Sequence, residues 1–137
     1  MVNLEKIYSD YKVRADFLTI YIREAHPQDE WQMKSNVDES ICYPQPKTFP
    51  QRVAIANDFV TRFHYPIPIS IDTMNNAADH AYSGWPERIY IIDELGRIAY
   101  RGGIGPFNYH PDEARAWLAR RFPSLISTES ASRFSAR

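Results

Sequence analysis

The chain has 137 residues, of which 44% are hydrophobic and 24% are charged, and its formal net charge is −1. These values indicate a single globular domain, and the near-neutral charge argues against a surface built to hold nucleic acid. The one cysteine, Cys42, excludes a disulfide or a Cys-x-x-Cys motif within these residues. No apolar run approaches the roughly 20 residues of a membrane span, and the first residues do not read as a signal peptide. We therefore predict a reduced, cytoplasmic protein with no membrane or nucleic-acid partner.

The first elements are predicted to be a short helix and a buried strand. Residues 2–11 carry large side chains at helical spacing, namely Leu4, Ile7, Tyr8 and Tyr11. Residues 17–22 are rich in β-branched and aromatic side chains and are apolar on both faces apart from Thr19. That pattern is typical of a strand buried inside a mostly parallel sheet.

A long irregular stretch and a helix come next. Residues 27–47 hold three prolines and no hydrophobic period, which predicts a functional or disordered loop. Thr48 and Gln51 have the spacing of a capping box, and Pro50 fits the first helical turn. We predict a helix from this cap to Phe63, with its buried stripe formed by Val53, Ala56, Phe59, Val60 and Phe63.

The second strand–helix pair is short. Residues 67–71 predict a strand at a sheet edge, because Pro68 has no N–H for a ladder bond. Asp72 or Thr73 is then predicted to cap a brief helix that ends near Tyr82.

The remaining elements are a hairpin, a helix and a tail. Strands are predicted over 88–92 and 97–101, joined by the turn 93–96. Pro111 opens the last helix, whose predicted buried face holds Ala114, Trp117 and Leu118. The order of elements predicts an α/β domain over residues 1–123, with four strands and helices on both faces of the sheet. The serine-rich residues 124–137 are predicted to be a disordered tail.

Two polar side chains follow the first predicted strand. Glu24 and His26 lie two residues apart, so a continuing strand points both to one side. Sites in open α/β sheets lie beyond the carboxyl ends of strands, where these two residues fall. A carboxylate–imidazole pair can deliver a proton to a leaving group and help to hold a thiolate or selenolate ionised. The alternative is a hydrogen-bonded polar pair with no chemistry.

Three other candidate sites receive weaker support. Cys42 could be a resolving thiol, but no Lys or Arg is near it in sequence to lower its pKa, so an inert cysteine is favoured. The glycines of 102–105 indicate a tight turn rather than a phosphate loop, because no helix follows them directly. His26, Asp29 and Glu30 come from one loop, whereas metal ligands converge from several elements, so no metal site is predicted.

The stretch FLTIYIREAHPQDEW at 17–31 closely resembles the strand-and-loop signature of the iodothyronine deiodinase family. Further matches to the family follow in order, at 36–38, 44–45, 51–53, 72–75, 86–90 and 103–109. The resemblance implies a thioredoxin-type fold of the peroxiredoxin-like branch, with a mixed four-stranded sheet. It also implies reductive removal of iodine through a selenocysteine or cysteine that an external thiol regenerates, with no bound cofactor. Glu24 and His26 would be the proton-donor system.

The sequence departs from the family pattern in two respects. The nucleophile of the family ends a central strand that precedes the first helix, so that strand and its redox motif are expected to lie upstream of Met1. A chain truncated in this way would be inactive as it stands, and an in-frame selenocysteine or cysteine codon is expected directly upstream. The histidine and arginine that the family uses to hold the hormone correspond to Pro46 and Ile104. The substrate is therefore expected to be another small molecule, either halogenated or a peroxide.

The resemblance further implies a cis bond between Trp85 and Pro86, with the backbone before the proline facing the substrate. Two alternatives to the deiodinase-like enzyme remain open. One is a thiol-dependent peroxidase on the same scaffold, and the other is a redox-inactive thioredoxin-like interaction module. A homodimer is a further expectation.

Overall fold

The computed structural model describes residues 3–25 and 43–123. Within these ranges the helices and strands follow the predicted order. They are α1 (Leu4–Tyr11), β1 (Thr19–Tyr21), α2 (Phe49–Phe63), β2 (Ile69–Ile71), α3 (Ala77–Tyr82), β3 (Tyr90–Ile92), β4 (Ile98–Arg101) and α4 (Pro111–Arg121). The predicted loop 27–47 is described from Tyr43 onward only. His26, Cys42 and the predicted tail 124–137 lie outside the described residues.

The described strands pair as two two-stranded sheets. Strands β1 and β2 are parallel, with Thr19 opposite Ile69, and β3 and β4 are antiparallel, with Tyr90 opposite Arg101. The hairpin predicted over 88–92 and 97–101 is confirmed. The joining of all four strands into one sheet stays a prediction. At the start of β2 only the Pro68 carbonyl is used, accepting from the Thr19 N–H at 2.8 Å, as expected for a residue without an N–H.

The chain divides into two compact units. The β3–β4 unit comprises the described residues 3–16, 89–103 and 108–123, and its buried core is apolar. The buried side chains of this core include Ile7 and Tyr11 of α1 and Ala114 and Leu118 of α4. These positions of the predicted helical faces are confirmed, whereas Trp117, also predicted to be buried, is half-buried. The hydrophobic effect is the main force that holds this unit.

The hairpin of the β3–β4 unit turns at 93–96, as predicted. The Asp93 Oδ1 atom accepts from the backbone N–H groups of Leu95 and Arg97, both at 2.9 Å. Gly96 has a φ of +76°, a left-handed conformation that a side chain would disfavour. The aspartate and the glycine are the reason why this sequence turns here.

The β1–β2 unit comprises the described residues 17–25, 43–88 and 104–107. Its long helix α2 begins as predicted, since Thr48 is the N-cap and its Oγ1 accepts from the Gln51 N–H at 3.3 Å. The return bond differs slightly from a capping box, because Gln51 Oε1 accepts from the N–H of Lys47, one residue before the cap. His64 adopts a φ of 49° and ends the helix.

The predicted cap of α3 is wrong in position. The N-cap residue is Asn76, whose side chain makes no capping bond. The Asp72 carboxylate nevertheless accepts from the N–H groups of Ala78 and Asp79, both at 2.9 Å. The reason is a turn in which the Asn76 N–H donates to the Thr73 carbonyl, so that Asp72 is folded back onto the start of the helix.

Two predictions of burial are also wrong. Leu18 and Ile20 are 60% and 40% exposed, although β1 was expected to be buried on both faces. Alternate residues of a strand face opposite sides, and the described residues cover only the side of Thr19 and Tyr21. Phe63 is also exposed, although its ring packs against that of Phe59, because it is the last residue of α2.

Candidate active site at the end of strand β1

Glu24 lies three residues beyond the last residue of β1 and is held by two side chains. The Tyr21 hydroxyl donates to the Glu24 carboxylate. The Gln45 amide binds the backbone of Glu24 on both sides, accepting from its N–H at 3.1 Å and donating to its carbonyl at 3.3 Å. The position of this carboxylate is therefore fixed by the strand and by the segment that precedes α2.

The Tyr21 phenol is a permanent donor to Glu24 at neutral pH. Burial of the phenol raises its pKa well above the ordinary value, and the hydrogen bond to Glu24 and the charge of Glu24 raise it further. The phenol thus keeps its proton and its orientation. The carboxylate retains acceptor capacity for one more donor, such as a neighbouring imidazole.

The Trp85–Pro86 peptide bond is cis, as the sequence resemblance implied. The Trp85 N–H donates to Asp79 Oδ1 at 3.0 Å, which fixes the backbone just before the proline. The guanidinium of Arg23 lies over the Trp85 indole at 5.0 Å from the ring centroid. Because Arg23 immediately precedes Glu24, the end of β1 and the cis-proline segment lie side by side.

Three buried charged residues support this arrangement, and only one of them was singled out from the sequence, as a helix cap. Arg52 is 2% exposed and donates to the carbonyls of Asp72 and Thr73 at 3.2 and 2.7 Å and to the Asn76 side chain at 3.0 Å. Asp79 is 4% exposed and binds both Trp85 and Arg23. Arg52 and Asp72 lie in the stretches 51–53 and 72–75 that match the family, and this match is the sequence signal that indicates a role for them.

The Asp72 carboxylate is the centre of this polar core. Burial raises its pKa, but three backbone N–H donors, those of Asp79, Ala78 and Thr73, together with the Arg52 guanidinium, lower it, and the net pKa lies below its ordinary value. Asp72 is therefore charged at neutral pH. Its bond to the Asp79 N–H connects it to the residue that holds Trp85.

Two cavities open on the β1–β2 unit. One, of about 310 Å³, is lined by Arg23, Asp79, His80, Ser83, Trp85 and Ile104. The other, of about 440 Å³, lies between the 44–47 segment and helix α2. Within residues 3–25 and 43–123, no three His, Cys, Asp or Glu side chains are grouped closely enough to hold a metal ion. In the same ranges no helix is long and apolar enough to cross a membrane.

Of the predicted site residues, the structure describes Glu24, Trp85 and Pro86. The side chain of Arg23, the residue before Glu24, lies over the Trp85 indole. The placement of His26 and Cys42 relative to this group stays a prediction. The mixed α/β arrangement of helices and small sheets is compatible with a domain of the thioredoxin-like class.

Comparison with known proteins identifies the family. The family model described as iodothyronine deiodinase matches residues 1–122. The chain therefore belongs to the iodothyronine deiodinase family, a family of oxidoreductase enzymes, and the resemblance inferred from the motifs is confirmed.

Individual relatives agree with this assignment. The type I iodothyronine deiodinase of Xenopus laevis is 35% identical over 116 residues, which are 85% of this chain and 44% of the relative. The thyroxine 5-deiodinase of Bos taurus is 38% identical over 121 residues, 88% of this chain and 38% of the relative. The human thyroxine 5-deiodinase is 37% identical over 121 residues, again 88% of this chain and 38% of the relative. The chain thus spans about two fifths of the length of these relatives.

Proposed function

We propose that the protein acts in the reductive removal of iodine from a small aromatic molecule, on a thioredoxin-type fold. The observation that carries the proposal is the fixed Glu24 carboxylate at the end of β1, in a chain of the deiodinase family. An acid–base group is needed at that position because the carbon that loses iodine must gain a proton. The proposed fold places β1–β2 and β3–β4 in one sheet.

The proposed chemistry has two steps that balance. A selenolate or thiolate attacks the iodine atom, the carbon–iodine bond breaks, and the carbon takes a proton, which leaves a selenenyl or sulfenyl iodide. Two molecules of an external thiol then reduce this species, releasing iodide and a disulfide and restoring the nucleophile. The thiol reductant is the expected co-substrate.

The residue roles rest on the family resemblance and on the contacts that hold Glu24. We assign His26 as the proton donor and Glu24 as the group that orients the imidazole and stabilises its charged form. Tyr21 and Gln45 keep Glu24 in place. We propose that the nucleophile is a selenocysteine or cysteine carried outside these 137 residues, and that Cys42 is at most a resolving thiol.

The test is iodide release from ortho-iodophenol with dithiothreitol. The 137-residue protein is compared with a form extended through the in-frame codons before Met1, and hydrogen peroxide is the rival substrate. We expect turnover by the extended protein, a fall of about 10²–10⁴-fold in His26→Ala, and unchanged single-turnover chemistry in Cys42→Ser.

Three outcomes would contradict the proposal. Faster consumption of peroxide than of the iodophenol would favour a peroxidase. Loss of the first turnover in Cys42→Ser, with His26→Ala active, would make Cys42 the nucleophile. An upstream region without a selenocysteine or cysteine codon, together with no turnover, would favour an interaction module.

A further inference from the structure

Asp79 connects two parts of the candidate site through a single buried carboxylate. Its Oδ2 atom accepts from Arg23 Nε, and its Oδ1 atom accepts from the Trp85 N–H, both at 3.0 Å. Arg23 immediately precedes Glu24 in the chain, beyond the end of β1. Trp85 immediately precedes Pro86. One carboxylate therefore binds a side chain next to Glu24 and the backbone next to the proline.

The remaining polar atoms of Asp79 are fixed as well. Its N–H donates to Asp72 Oδ2 at 2.9 Å, and its carbonyl accepts from the Gly84 N–H at 3.0 Å. The Asp79 side chain is 4% exposed, and both of its oxygens and both of its backbone polar atoms have partners. A side chain locked by such bonds sets the position of the groups that it binds. Asp79 lies outside the stretches that resemble the family, so its role has to be inferred from these contacts.

Two further contacts bring the same segments together. The Arg23 guanidinium lies over the Trp85 indole, 5.0 Å from the ring centroid. A Cβ atom at Gly84 would lie 3.7 Å from Ile22 Cδ1, so the residue that follows β1 lies close to Gly84. The end of β1 and the segment before Pro86 are therefore neighbours, and Asp79 supplies the directional bonds between them.

We propose that Asp79 is a positioning residue, which holds Glu24 and the Trp85 backbone at a fixed separation by binding Arg23 and the Trp85 N–H together. The proposal rests on the proposed dehalogenation, in which Glu24 orients the proton donor and the Trp85 backbone faces the substrate. A displacement of about 1 Å at a reacting centre can lower turnover about 10²-fold, even when the changed residue lies outside it. Asp79 thus acts through its two partners and not on the substrate.

The first test is hydrogen exchange of assigned backbone amides in the 137-residue protein, followed by NMR. Asp79→Ala removes both bonds, so exchange of the Trp85 amide should become about 10- to 100-fold faster, as expected for loss of a bond to a charged group. Asp79→Asn keeps an oxygen for the Trp85 N–H but turns an N–H group toward Arg23, so that only the Arg23 bond is lost. Asp79→Asn and Arg23→Gln should each accelerate the same amide by about 3- to 10-fold, because the acceptor of Trp85 loses the partner that holds it.

Controls separate this local effect from a general loss of stability. The Gly102 N–H donates to the Ile89 carbonyl at 2.8 Å in the other unit, and its exchange should not change in any variant. Gly84→Ala adds a methyl group at ordinary contact distance and removes no hydrogen bond, so the Trp85 amide should keep its rate. Arg101→Gln removes an equal charge from an exposed position of the other unit and should also have no effect.

The second test is steady-state kinetics of the extended protein with ortho-iodophenol and dithiothreitol. Asp79→Asn and Arg23→Gln should each lower kcat by about 10-fold and leave KM within about 3-fold. The double variant should be no slower than the slower single variant, because both changes break the same bond. Arg23→Lys should recover part of kcat, since its ammonium group can still donate to Oδ2. A merely structural role would reduce the folded fraction and leave kcat per folded molecule unchanged.

The proposal is overturned if the Trp85 amide keeps its rate in Asp79→Ala, if the Gly102 amide accelerates equally, or if kcat per folded molecule is unchanged in Asp79→Asn. Its failure is distinguishable from failure of the proposed function. The expected exchange pattern without iodide release by any form of the extended protein would keep the positioning role and remove the dehalogenation. Iodide release with an unchanged kcat in Asp79→Asn would do the reverse.

Discussion

The two units of the chain are stabilised by different kinds of core. The β3–β4 unit buries Ile7, Tyr11, Ala114 and Leu118, and its described ion pairs lie at or near the surface. The β1–β2 unit buries three charged residues, Arg52, Asp72 and Asp79, alongside Ala56 and Ile67. The candidate active site and the cavity lined by Arg23 belong to the unit with the charged core.

The difference between the two cores shows which unit needs precise geometry. Apolar burial is non-directional and tolerates small shifts of the packed groups. Hydrogen bonds to buried charges have defined lengths and angles, and a charge left unpaired in the interior is costly. The chain from Arg52 through Asp72 to Asp79 therefore fixes the backbone of Trp85, while α1 and α4 need only remain packed.

The largest expected effect is that of Arg52→Ala. This change leaves the carbonyls of Asp72 and Thr73 without their donor and opens a cavity, so we expect a loss of about 3–5 kcal/mol in the free energy of unfolding. Urea denaturation measures it. The control in the β3–β4 unit is Arg97→Ala, whose side chain is 72% exposed and whose pair with Asp93 at 3.4 Å should contribute about 0–1 kcal/mol. Equal losses in the two variants would remove the contrast between the units.

The apolar unit is tested by Ile7→Ala. Ile7 is the most completely buried large side chain among the described residues, and its truncation should cost about 2–5 kcal/mol. Leu95→Ala, at an exposed position of the hairpin turn, should change stability by less than about 0.5 kcal/mol. The loss in Ile7→Ala should not depend on pH between neutrality and pH 4, because no charge is removed.

Asp72→Asn should behave differently with pH. The folded-state pKa of Asp72 is lowered, so its contribution to stability is complete above the unfolded value near 3.8 and is lost as pH falls through the folded pKa. We expect the variant to be about 1–3 kcal/mol less stable at pH 7, with the difference shrinking below about pH 4. Asp16→Asn is the exposed control. A difference that grew on acidification would contradict the stated role of the three N–H donors.

The smallest effect is expected in the β3–β4 unit at high pH. Burial, the hydrogen bond to Glu113 and the charge of that carboxylate together raise the pKa of Tyr100 to about 12. A raised pKa stabilises the fold below the unfolded value near 10, and this contribution is lost as pH rises toward 12. Tyr100→Phe should cost less than about 1 kcal/mol at pH 7 and even less near pH 12. Denaturation curves at both pH values test this, and a larger cost at high pH would disprove it.

Parts of the site were predictable because they are local in sequence. Glu24 follows a β-branched run, and Trp85–Pro86 precedes another, so both positions at strand ends could be predicted from sequence. The Arg23–Asp79 pair joins residues 56 positions apart, and no periodicity connects them. From the sequence pattern alone, Asp79 is equally compatible with a solvent-exposed position on a helix.

The sequence by itself determined the order and type of the elements, the hairpin turn, the helix start at Thr48 and the family. These follow from side-chain periodicity, backbone preferences and contiguous motifs, all of which act over a few residues. Only the tertiary structure decided that Arg52, Asp72 and Asp79 are buried, that Leu18 and Ile20 are exposed, and that Arg23 faces a cavity beside Trp85. Burial and pairing depend on which segments meet in the fold, and a charged side chain enters the interior where the folded chain supplies donors or acceptors to it.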